Sequence, residues 1–141
     1  MTIKPLAPDA KLKQILRSCD LPVEDIDDTQ SGRFFGYFAD DNLAGVVGLE
    51  LYPPAALLRS LAVLPPYRGD GVGRALLRFA ERQAAMQDVS SLFLLTNSAA
   101  AFFAKQGYAM VARSEAPAAI RATTQFASLC PASAVFMAKY L

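Results

Sequence analysis

The sequence LLRSLAVLPPYRGDGVGR at residues 57–74 decides the fold of this chain. It begins as an apolar, strand-like run and passes through two prolines. It then turns at three alternating glycines between positions 69 and 73, and a helical pattern begins at Arg74. A strand that leads through a glycine turn into a helix N-terminus directs several unpaired backbone N–H groups, and the positive end of the helix dipole, at one point. Such an arrangement binds phosphate groups, so the segment predicts a phosphate-binding loop.

The spacing of the glycines distinguishes this loop from two other phosphate loops. The order Gly69-x-Gly71-x-Gly73 lacks the final x-x-Gly of the dinucleotide fingerprint, and no Gly-Lys-Ser/Thr follows as it does in a P-loop. Gly71 and Gly73 are expected to hold backbone conformations that are open to glycine alone. A plain strand-to-helix turn is the alternative interpretation.

Length and composition limit the classes of function that this chain can have. The chain has 141 residues, 53% of them hydrophobic, and its 14 basic and 13 acidic side chains give a net charge of +1. We expect one domain over 1–141, with no nucleic-acid partner. No apolar run reaches 18 residues and the N-terminus has no signal-peptide core, so we expect a cytoplasmic protein without a membrane span. The sequence leaves the oligomeric state open, a homodimer included.

The absence of histidine excludes a catalytic triad with a histidine base and any histidine-ligated metal. Cys19 and Cys130 lie far apart and cannot form a four-cysteine zinc site. We therefore expect no metal, and two reduced, buried cysteines.

Hydrophobic periodicity and turn residues divide the chain into alternating elements. Asp40-Asp41-Asn42 is typical of a hairpin turn, and Gly107 of a left-handed helix cap. Pro117 suits a first helical position, and the acidic stretch 23–32 predicts a short helix and a loop. The expected strands are 2–6, 33–39, 43–52, 55–63, 91–96, 108–113 and 133–140, and the other helices are 8–20, 72–86, 98–106 and 117–127.

The loop also fits the pattern R/Q-x-x-G-x-G/A, with Arg68, Gly71 and Gly73 in its fixed places. It resembles the acetyl-coenzyme A pyrophosphate loop of the GCN5-related N-acetyltransferases (GNAT), and FFAKQGYAMV at 102–111 looks like a second segment of that superfamily. The element order β-α-α-β-β-β-α-β-α-β-α-β is also that of the GNAT fold. This resemblance implies an α+β protein with a mixed, mostly antiparallel sheet, splayed between its fourth and fifth strands, and flanking helices.

The same resemblance implies acetyl-CoA as cofactor. Three strand-four residues are expected to hydrogen-bond the pantetheine arm, seven loop residues to hold the pyrophosphate, and Asn97 and Phe103 to lie beside the arm and the thiol. Asn97 or Ser98 could instead cap the following helix, and one of Phe102 and Phe103 must belong to the core. Arg74 could be merely solvated. The strand-four residues are Leu61, Ala62 and Val63, and the loop residues are Arg68, Gly69, Asp70, Gly71, Val72, Gly73 and Arg74.

A narrower resemblance concerns the substrate. LLRSLAV, LFLLTNSAAAFFAKQGY, APAAIRATTQFASLCPAS and MAKYL look like the small acetyltransferases named after arsenic-resistance operons, which are similar to the acetyltransferase domain of N-acetylglutamate synthases. It implies acetylation of a small amine that is an amino acid or its phosphinate or arsenic-containing analogue. Ser133 matches a substrate-binding serine of the synthases, but Pro131 stands where they have arginine.

At two further positions, both relevant to catalysis, the sequence differs from the pattern of the GNAT superfamily. Phe103 stands where many GNAT enzymes have a tyrosine that protonates the departing thiolate, so water or another group such as Tyr108 must do so. Leu57 stands where histone-type members have a glutamate base. With no histidine, the base candidates are carboxylates, and Glu50 near the end of the neighbouring strand is the first choice, with a solvated position as the alternative.

Arg59 lies between apolar residues of strand four. A buried arginine needs a partner, which could be Glu50 or a substrate carboxylate; an exposed side chain is the alternative. The N–H of Ala62 or Val63 is expected to stabilise the oxyanion of the acyl-transfer intermediate. Arg113 and Arg121 are weaker candidates for the site.

Three functions remain open from the sequence. The first is a small-amine N-acetyltransferase, and the second is a peptide or protein N-terminal acetyltransferase, with the acidic stretch Glu24–Asp28 bordering a groove. The third is a CoA-binding module without catalysis, favoured by the missing tyrosine and glutamate.

Overall fold

In the part of the chain that the structure describes, seven strands form one sheet in the order β1-β2-β3-β4-β5-β7-β6. The computed structural model describes residues 2–21, 23, 26, 32–124, 126–127 and 134–141. The strands are β1 Thr2–Leu6, β2 Gly32–Ala39, β3 Asn42–Tyr52, β4 Ala55–Val63, β5 Ser91–Thr96, β6 Ala109–Met110 and β7 Val135–Tyr140. The helices are α1 Ala10–Ser18, α2 Val72–Met86, α3 Ala100–Lys105 and α4 Ala118–Arg121, with 3-10 turns at Pro65–Tyr67 and Arg113–Glu115.

The sheet is mixed and mostly antiparallel, as expected, because among the strand pairs of the described residues only β4 and β5 run parallel. Within these two fully described strands, pairing covers three positions and stops after Leu57 opposite Phe93. Beyond that point the strands separate, and the predicted splay between the fourth and fifth strands is confirmed. The gap opens toward Val63, where the glycine loop follows.

A bulge in β4 lies at the splay. Val46 pairs with Ala62 and Gly48 with Arg59, so two β4 residues stand opposite one β3 residue. The first of the two, Ser60, has a left-handed φ of 58°. A bulge bends its strand and increases the local twist, which carries the end of β4 away from β5.

Apolar side chains cover both faces of the sheet. The inner stripe of α2, with Leu76, Leu77 and Ala80, packs on one face against Val47 and Leu58. The opposite face is covered by α1 and α4. Buried residues there include Leu12, Leu16, Phe34, Val46 and Ala62 near α1, and Leu57, Ile120 and Phe136 near α4.

Two predicted turns have the expected backbone. Asp40 and Asp41 have φ values of 49° and 67°, which suit a tight hairpin turn between β2 and β3. Gly107 has φ 97° and ends the turn after α3. Among the described residues, no helix is both long and apolar enough to cross a membrane.

Several predicted boundaries are wrong. The sixth strand is two residues long rather than the predicted 108–113, and a 3-10 turn at Arg113–Glu115 follows it. Pro117 precedes α4 instead of starting it. The regular helix ends at Arg121, because the Thr123 hydroxyl donates to the Ile120 carbonyl and accepts from the Phe126 N–H. The expected short helix and loop at 23–32 lie largely outside the described residues.

Candidate active site

The glycine loop leaves the start of α2 open. Gly69 and Gly71 have φ values of +88° and +81°, and Gly71 is the N-cap residue of α2. The first bond within the helix runs from the Ala75 N–H to the Gly71 carbonyl at 3.0 Å. No side chain of the described chain caps this end. The N–H groups of the first helical turn therefore point out of the helix, as an anion-binding site requires.

Space beside the loop fits a ligand that approaches the backbone. A Cβ atom added at Gly69 or Gly71 would meet no atom of the described chain within 4 Å. Gly73 differs from the prediction: it lies within α2 without a positive φ, and its Cβ would lie 3.5 Å from Val63 Cγ2 and 3.7 Å from Phe102 Cζ. These are ordinary contact distances, so packing does not require glycine at position 73, and the left-handed conformation belongs to Gly69 and Gly71.

Arg68 connects the loop to the splayed end of β4, because its Nε donates to the Val63 carbonyl at 2.9 Å. The Leu64 N–H donates to the Ala44 carbonyl of β3 at 2.8 Å. Since backbone groups alternate along a strand, those of Val63 face the splay and those of Ala62, paired with Val46, face β3. Of the two expected oxyanion donors, the Val63 N–H has the suitable direction and the Ala62 N–H does not.

The remaining loop residues divide between surface and core. Asp70 and Arg74 are exposed, whereas the Val72 side chain is buried against the sheet. A contact of Val72 with a phosphate is therefore restricted to its backbone.

A buried polar cluster lies on the opposite face of β4. The Nη1 of Arg59 donates to Glu50 Oε2 at 3.0 Å, and their side chains are 3% and 4% exposed. The Tyr52 hydroxyl donates to the other oxygen, Glu50 Oε1, at 2.6 Å. The alternatives of a solvated Glu50 and an exposed Arg59 are thus wrong. The sequence also proposed Glu50 as the partner of Arg59, and the structure brings these two together.

Neighbouring residues hold the guanidinium in place. The Arg59 Nε donates to the Ser60 hydroxyl at 3.0 Å, and the guanidinium carbon lies 5.7 Å from the centre of the Phe34 ring. A Cβ on Gly48 would lie 2.8 Å from Phe34 Cε1 and 3.0 Å from Arg59 Cγ. Glycine at 48 therefore makes room for both side chains on β3.

Sequence reasoning missed Tyr52, Ser60 and Gly48 as members of this cluster. Tyr52 could have been predicted from the sequence, because it follows Glu50 by two residues in a strand and so points to the same face. The other two depend on the register of β3 against β4 and on the bulge.

The aromatic pair on α3 divides between core and site. Phe103 is 5% exposed and packs edge-on against Phe102 and Tyr108, with ring centres 5.2 Å and 5.7 Å away. Its ring therefore belongs to the hydrophobic core, and a contact of Phe103 with the cofactor stays a prediction. Phe102 is the member of the pair whose ring reaches Gly73.

Asn97 is exposed after the last residue of β5. It does not cap α3, and neither does Ser98: the Ala99 N–H donates to the Thr96 hydroxyl at 3.0 Å, and Ala99 is the N-cap residue. The capping alternative is wrong, so a contact with the pantetheine arm stays the prediction for Asn97.

Tyr108 is unsuited to protonate a thiolate in the splay. Its hydroxyl donates to Glu81 Oε2 at 2.9 Å, and Lys139 Nζ lies 3.1 Å from the same oxygen. Burial, and secondarily the Glu81 charge, raise the pKa of Tyr108 well above its ordinary value. Lys139 pairs with Leu92, at the end of β5 that is still joined to β4, so this cluster lies away from the gap.

Other predicted residues have no established place in the site. The Arg113 Nη2 donates to the Ala134 carbonyl at 3.0 Å, and Arg121 is exposed. Cys19 is a partly buried free thiol rather than a fully buried one. The expectations for Cys130, Pro131, Ser133 and the acidic side chains of 24–28 lie outside the described residues.

A family model described as the Acetyltransferase (GNAT) family matches residues 6–108. The chain belongs to this family. Among solved structures, N-acetylglutamate synthase from Neisseria gonorrhoeae, complexed with coenzyme A and N-acetyl-glutamate, is 18% identical with a TM-score of 0.76. The match covers 100% of this chain and 35% of the synthase, so this chain spans about a third of that protein.

Two further structures are similar over nearly their whole length. Rv2747 from Mycobacterium tuberculosis, complexed with CoA, is 18% identical, with a TM-score of 0.77 and coverage of 100% and 99%. PaiA N-acetyltransferase from Thermoplasma acidophilum, complexed with coenzyme A, is also 18% identical, with a TM-score of 0.68 and full coverage of both chains. No curated protein matches the sequence significantly. At these identities the solved structures support the shared GNAT fold.

Proposed function

We propose that this GNAT protein transfers an acetyl group from acetyl-CoA to the primary amine of a small molecule that also carries an anionic group. The acceptor class is an amino acid or an analogue, such as a phosphinate or an arsenic-containing glutamate mimic. The observation that carries the proposal is the buried Glu50–Arg59 pair on the sheet face opposite α2.

The residues of the glycine loop fit the cofactor. The N–H groups at the start of α2 and the open space beside Gly69 and Gly71 suit the diphosphate, and the splay suits the pantetheine arm. When bound, acetyl-CoA supplies an activated thioester. Val63 is assigned two roles through its backbone: its carbonyl, which also accepts from Arg68, accepts a hydrogen bond from the arm, and its N–H donates to the acyl oxygen.

Arg59 is assigned the role of binding the anionic group of the acceptor. A guanidinium presents a rigid fork of donors that matches a carboxylate or phosphinate, and such a pair is strong where water is excluded. Arg59 already forms a charge-assisted bond of this type with Glu50, in surroundings that are nearly fully buried.

Glu50 is assigned the role of the base that removes a proton from the acceptor ammonium. Acyl transfer needs a neutral amine nitrogen, and a positioned base contributes roughly 10²–10⁴-fold to the rate. Among the candidates raised by the sequence, Glu50 is the carboxylate that lies beside Arg59, directly across from Leu57 on β4. The N-acetyl-glutamate bound by the gonococcal synthase is consistent with an amino-acid acceptor.

The test is release of free CoA thiol with a panel of amino acids, their decarboxylated amines and short peptides. We expect turnover with at least one amino acid, and a kcat/KM higher than that of its decarboxylated counterpart. Turnover with peptides alone would instead indicate N-terminal acetylation. Tight CoA binding without turnover of any amine would indicate a binding module.

A further inference from the structure

We propose that Ser60 determines which acceptors are bound: its hydroxyl orients the guanidinium of Arg59, and its lack of charge leaves that guanidinium attractive to an anionic group. This inference rests on the proposed function, in which Arg59 binds the anionic group of the acceptor. It adds that the side chain at position 60 selects the charge class of the acceptor.

The backbone of Ser60 has a conformation that favours glycine. Its φ of 58° lies in the left-handed region, where the Cβ atom crowds the following carbonyl oxygen. Asparagine, aspartate and histidine are the side chains enriched there, and serine is not among them. Glycine would avoid this crowding at a bulge. The reason for a serine at this position therefore lies in its side chain.

The bulge brings the side chains of Arg59 and Ser60 together. Neighbouring residues of a regular strand point to opposite faces, so their side chains do not meet. Here the alternation is interrupted: the Arg59 guanidinium lies near the Phe34 ring, and Ala62, three residues later, packs in the same cluster as Phe34. The Ser60 hydroxyl thus reaches Arg59 and accepts a hydrogen bond from its Nε at 3.0 Å.

The hydrogen bond at Nε fixes the plane of the guanidinium. Because this group is rigid, the bond from Nε to Ser60 and the bond from Nη1 to Glu50 together define where its N–H groups point. An acceptor that meets an oriented guanidinium does not have to restrict a long, flexible side chain first, so it binds more tightly. Loss of the Ser60 hydroxyl should weaken the binding of anionic acceptors alone.

The oxygen beside Nε is neutral, and its charge matters as much as its position. A hydroxyl accepts the hydrogen bond without cancelling the positive charge of the guanidinium. A carboxylate at the same place would weaken the attraction for an anionic acceptor and would repel it directly. Arg59 is buried, so solvent screens these interactions little.

A matched pair of variants separates the charge at position 60 from its backbone. Asparagine and aspartate both tolerate the left-handed conformation, have nearly the same shape and differ by one negative charge. The probes are the standard L-amino acid of the panel with the highest kcat/KM and the amine that its decarboxylation gives. We expect KM for the amino acid to stay within about threefold of wild type in Ser60→Asn and to rise about thirtyfold in Ser60→Asp. KM for the amine should not rise in either variant.

Ser60→Gly tests the orienting hydrogen bond, because glycine suits the bulge and lacks the hydroxyl. We expect KM for the amino acid to rise about fivefold, with kcat and CoA affinity unchanged. Ser90→Ala, which removes an exposed hydroxyl just before β5, should change none of these quantities. Calorimetric titration with CoA and urea denaturation check the cofactor site and the fold of each variant.

The contact is also measured without an acceptor, by nuclear magnetic resonance of the isotope-labelled protein. The Nε–H signal of Arg59 is assigned from its absence in Arg59→Lys. We expect this proton to exchange with solvent about tenfold faster in Ser60→Gly than in the wild type, because the hydrogen bond to the hydroxyl protects it. Equal exchange rates would contradict the orienting role.

Two kinetic outcomes would overturn the inference. One is an equal rise of KM in Ser60→Asn and Ser60→Asp, which would assign position 60 to the bulge alone. The other is an unchanged KM for the amino acid in Ser60→Asp. If Ser60→Asp does not fold, Ser60→Gly and the exchange rate decide. Failure of the proposed function is seen in the wild type itself, as no turnover of any amino acid or as a preference for the decarboxylated amine.

Discussion

At the residue scale, the decisive feature is an arginine and a glutamate that are buried together on one sheet face. Arg59 and Glu50 form an ion pair, Tyr52 donates a hydrogen bond to Glu50, and Ser60 accepts one from Arg59. Buried pairs of this kind contribute little net stability, because desolvation offsets the attraction. Their presence in a core position is more easily explained by chemistry than by folding.

Arg59→Lys keeps the charge but removes the planar fork. We expect KM for amino-acid acceptors to rise by at least several-fold, since a lysine cannot hold a carboxylate in two parallel bonds. KM for an uncharged alkylamine should barely change. Steady-state kinetics on both acceptors check this, with Arg121→Lys as a control at an exposed arginine. An equal rise for both acceptors would assign Arg59 a structural role.

Phe103→Tyr tests whether a phenol at this position can protonate the departing thiolate. The ring lies in the core against Phe102 and Tyr108, so the added hydroxyl is expected to be buried without a partner. We expect the variant to lose about 1–3 kcal/mol of unfolding free energy, with no gain in kcat. Urea denaturation measures the first quantity, and Phe102→Tyr, half-buried, is the control. A higher kcat at unchanged stability would contradict this placement.

At the element scale, the glycine loop and the first turn of α2 act as one unit in which Gly69 and Gly71 adopt left-handed conformations and Gly73 does not. Gly71 adopts a left-handed conformation beside open space, whereas Gly73 is helical and packs near Val63 and Phe102. The helix N-terminus and the splayed end of β4 are held together by the bond from Arg68 to the Val63 carbonyl.

Substitution at the two glycines should therefore give different results. Gly71→Val introduces strain at φ +81° and places methyl groups where the diphosphate is proposed to lie, so we expect a loss of CoA affinity of about tenfold or more. Gly73→Ala adds a Cβ at an ordinary contact distance, and we expect CoA affinity to be retained. Calorimetric titration of both folded variants is the measurement. Unchanged affinity in Gly71→Val would remove the loop from the cofactor site.

At the scale of the whole molecule, the sheet separates two halves of the proposed reaction. The start of α2 lies over one face, and the Glu50–Arg59 pair lies on the other. The splay between β4 and β5 joins the two faces, so an acetyl group carried through it would meet an amine held at Arg59. Away from this gap, Tyr108, Glu81 and Lys139 connect α2 to the far end of the sheet.

We expect Tyr108 to lower the free energy of unfolding of the whole protein as the pH rises above 10. Its pKa in the folded protein is raised above the ordinary 10.0 by burial and then by Glu81, so the folded state holds the phenol proton more tightly than the unfolded state does. The contribution is fully present below pH 10 and is lost as the pH rises, by about 1.4 kcal/mol per pH unit for this group.

Tyr108→Phe should remove this part of the alkaline slope in urea unfolding between pH 9 and pH 11.5. Tyr140→Phe, at an exposed tyrosine, should keep it. Equal slopes in the two variants would mean that Tyr108 titrates normally in the folded state.

The sequence by itself determined most strands, the glycine loop, the family and the identity of Glu50 and Arg59 as candidates. These follow from local rules: alternation marks strands, helical spacing marks α2, and glycine permits the conformation of Gly71. Boundaries failed where a local side chain competes with the helix, as the Thr123 hydroxyl does after α4.

Only the tertiary structure decided which residues meet. Glu50 and Arg59 are nine residues apart and come together because β3 and β4 pair in one register, with a bulge at Ser60 and with Gly48 leaving room. The burial of Phe103 also depends on distant residues, because its core cluster includes Leu92 of β5 and Met137 of β7. Register and burial arise from pairing between distant parts of the chain. Local sequence patterns therefore do not predict which residues pair or become buried.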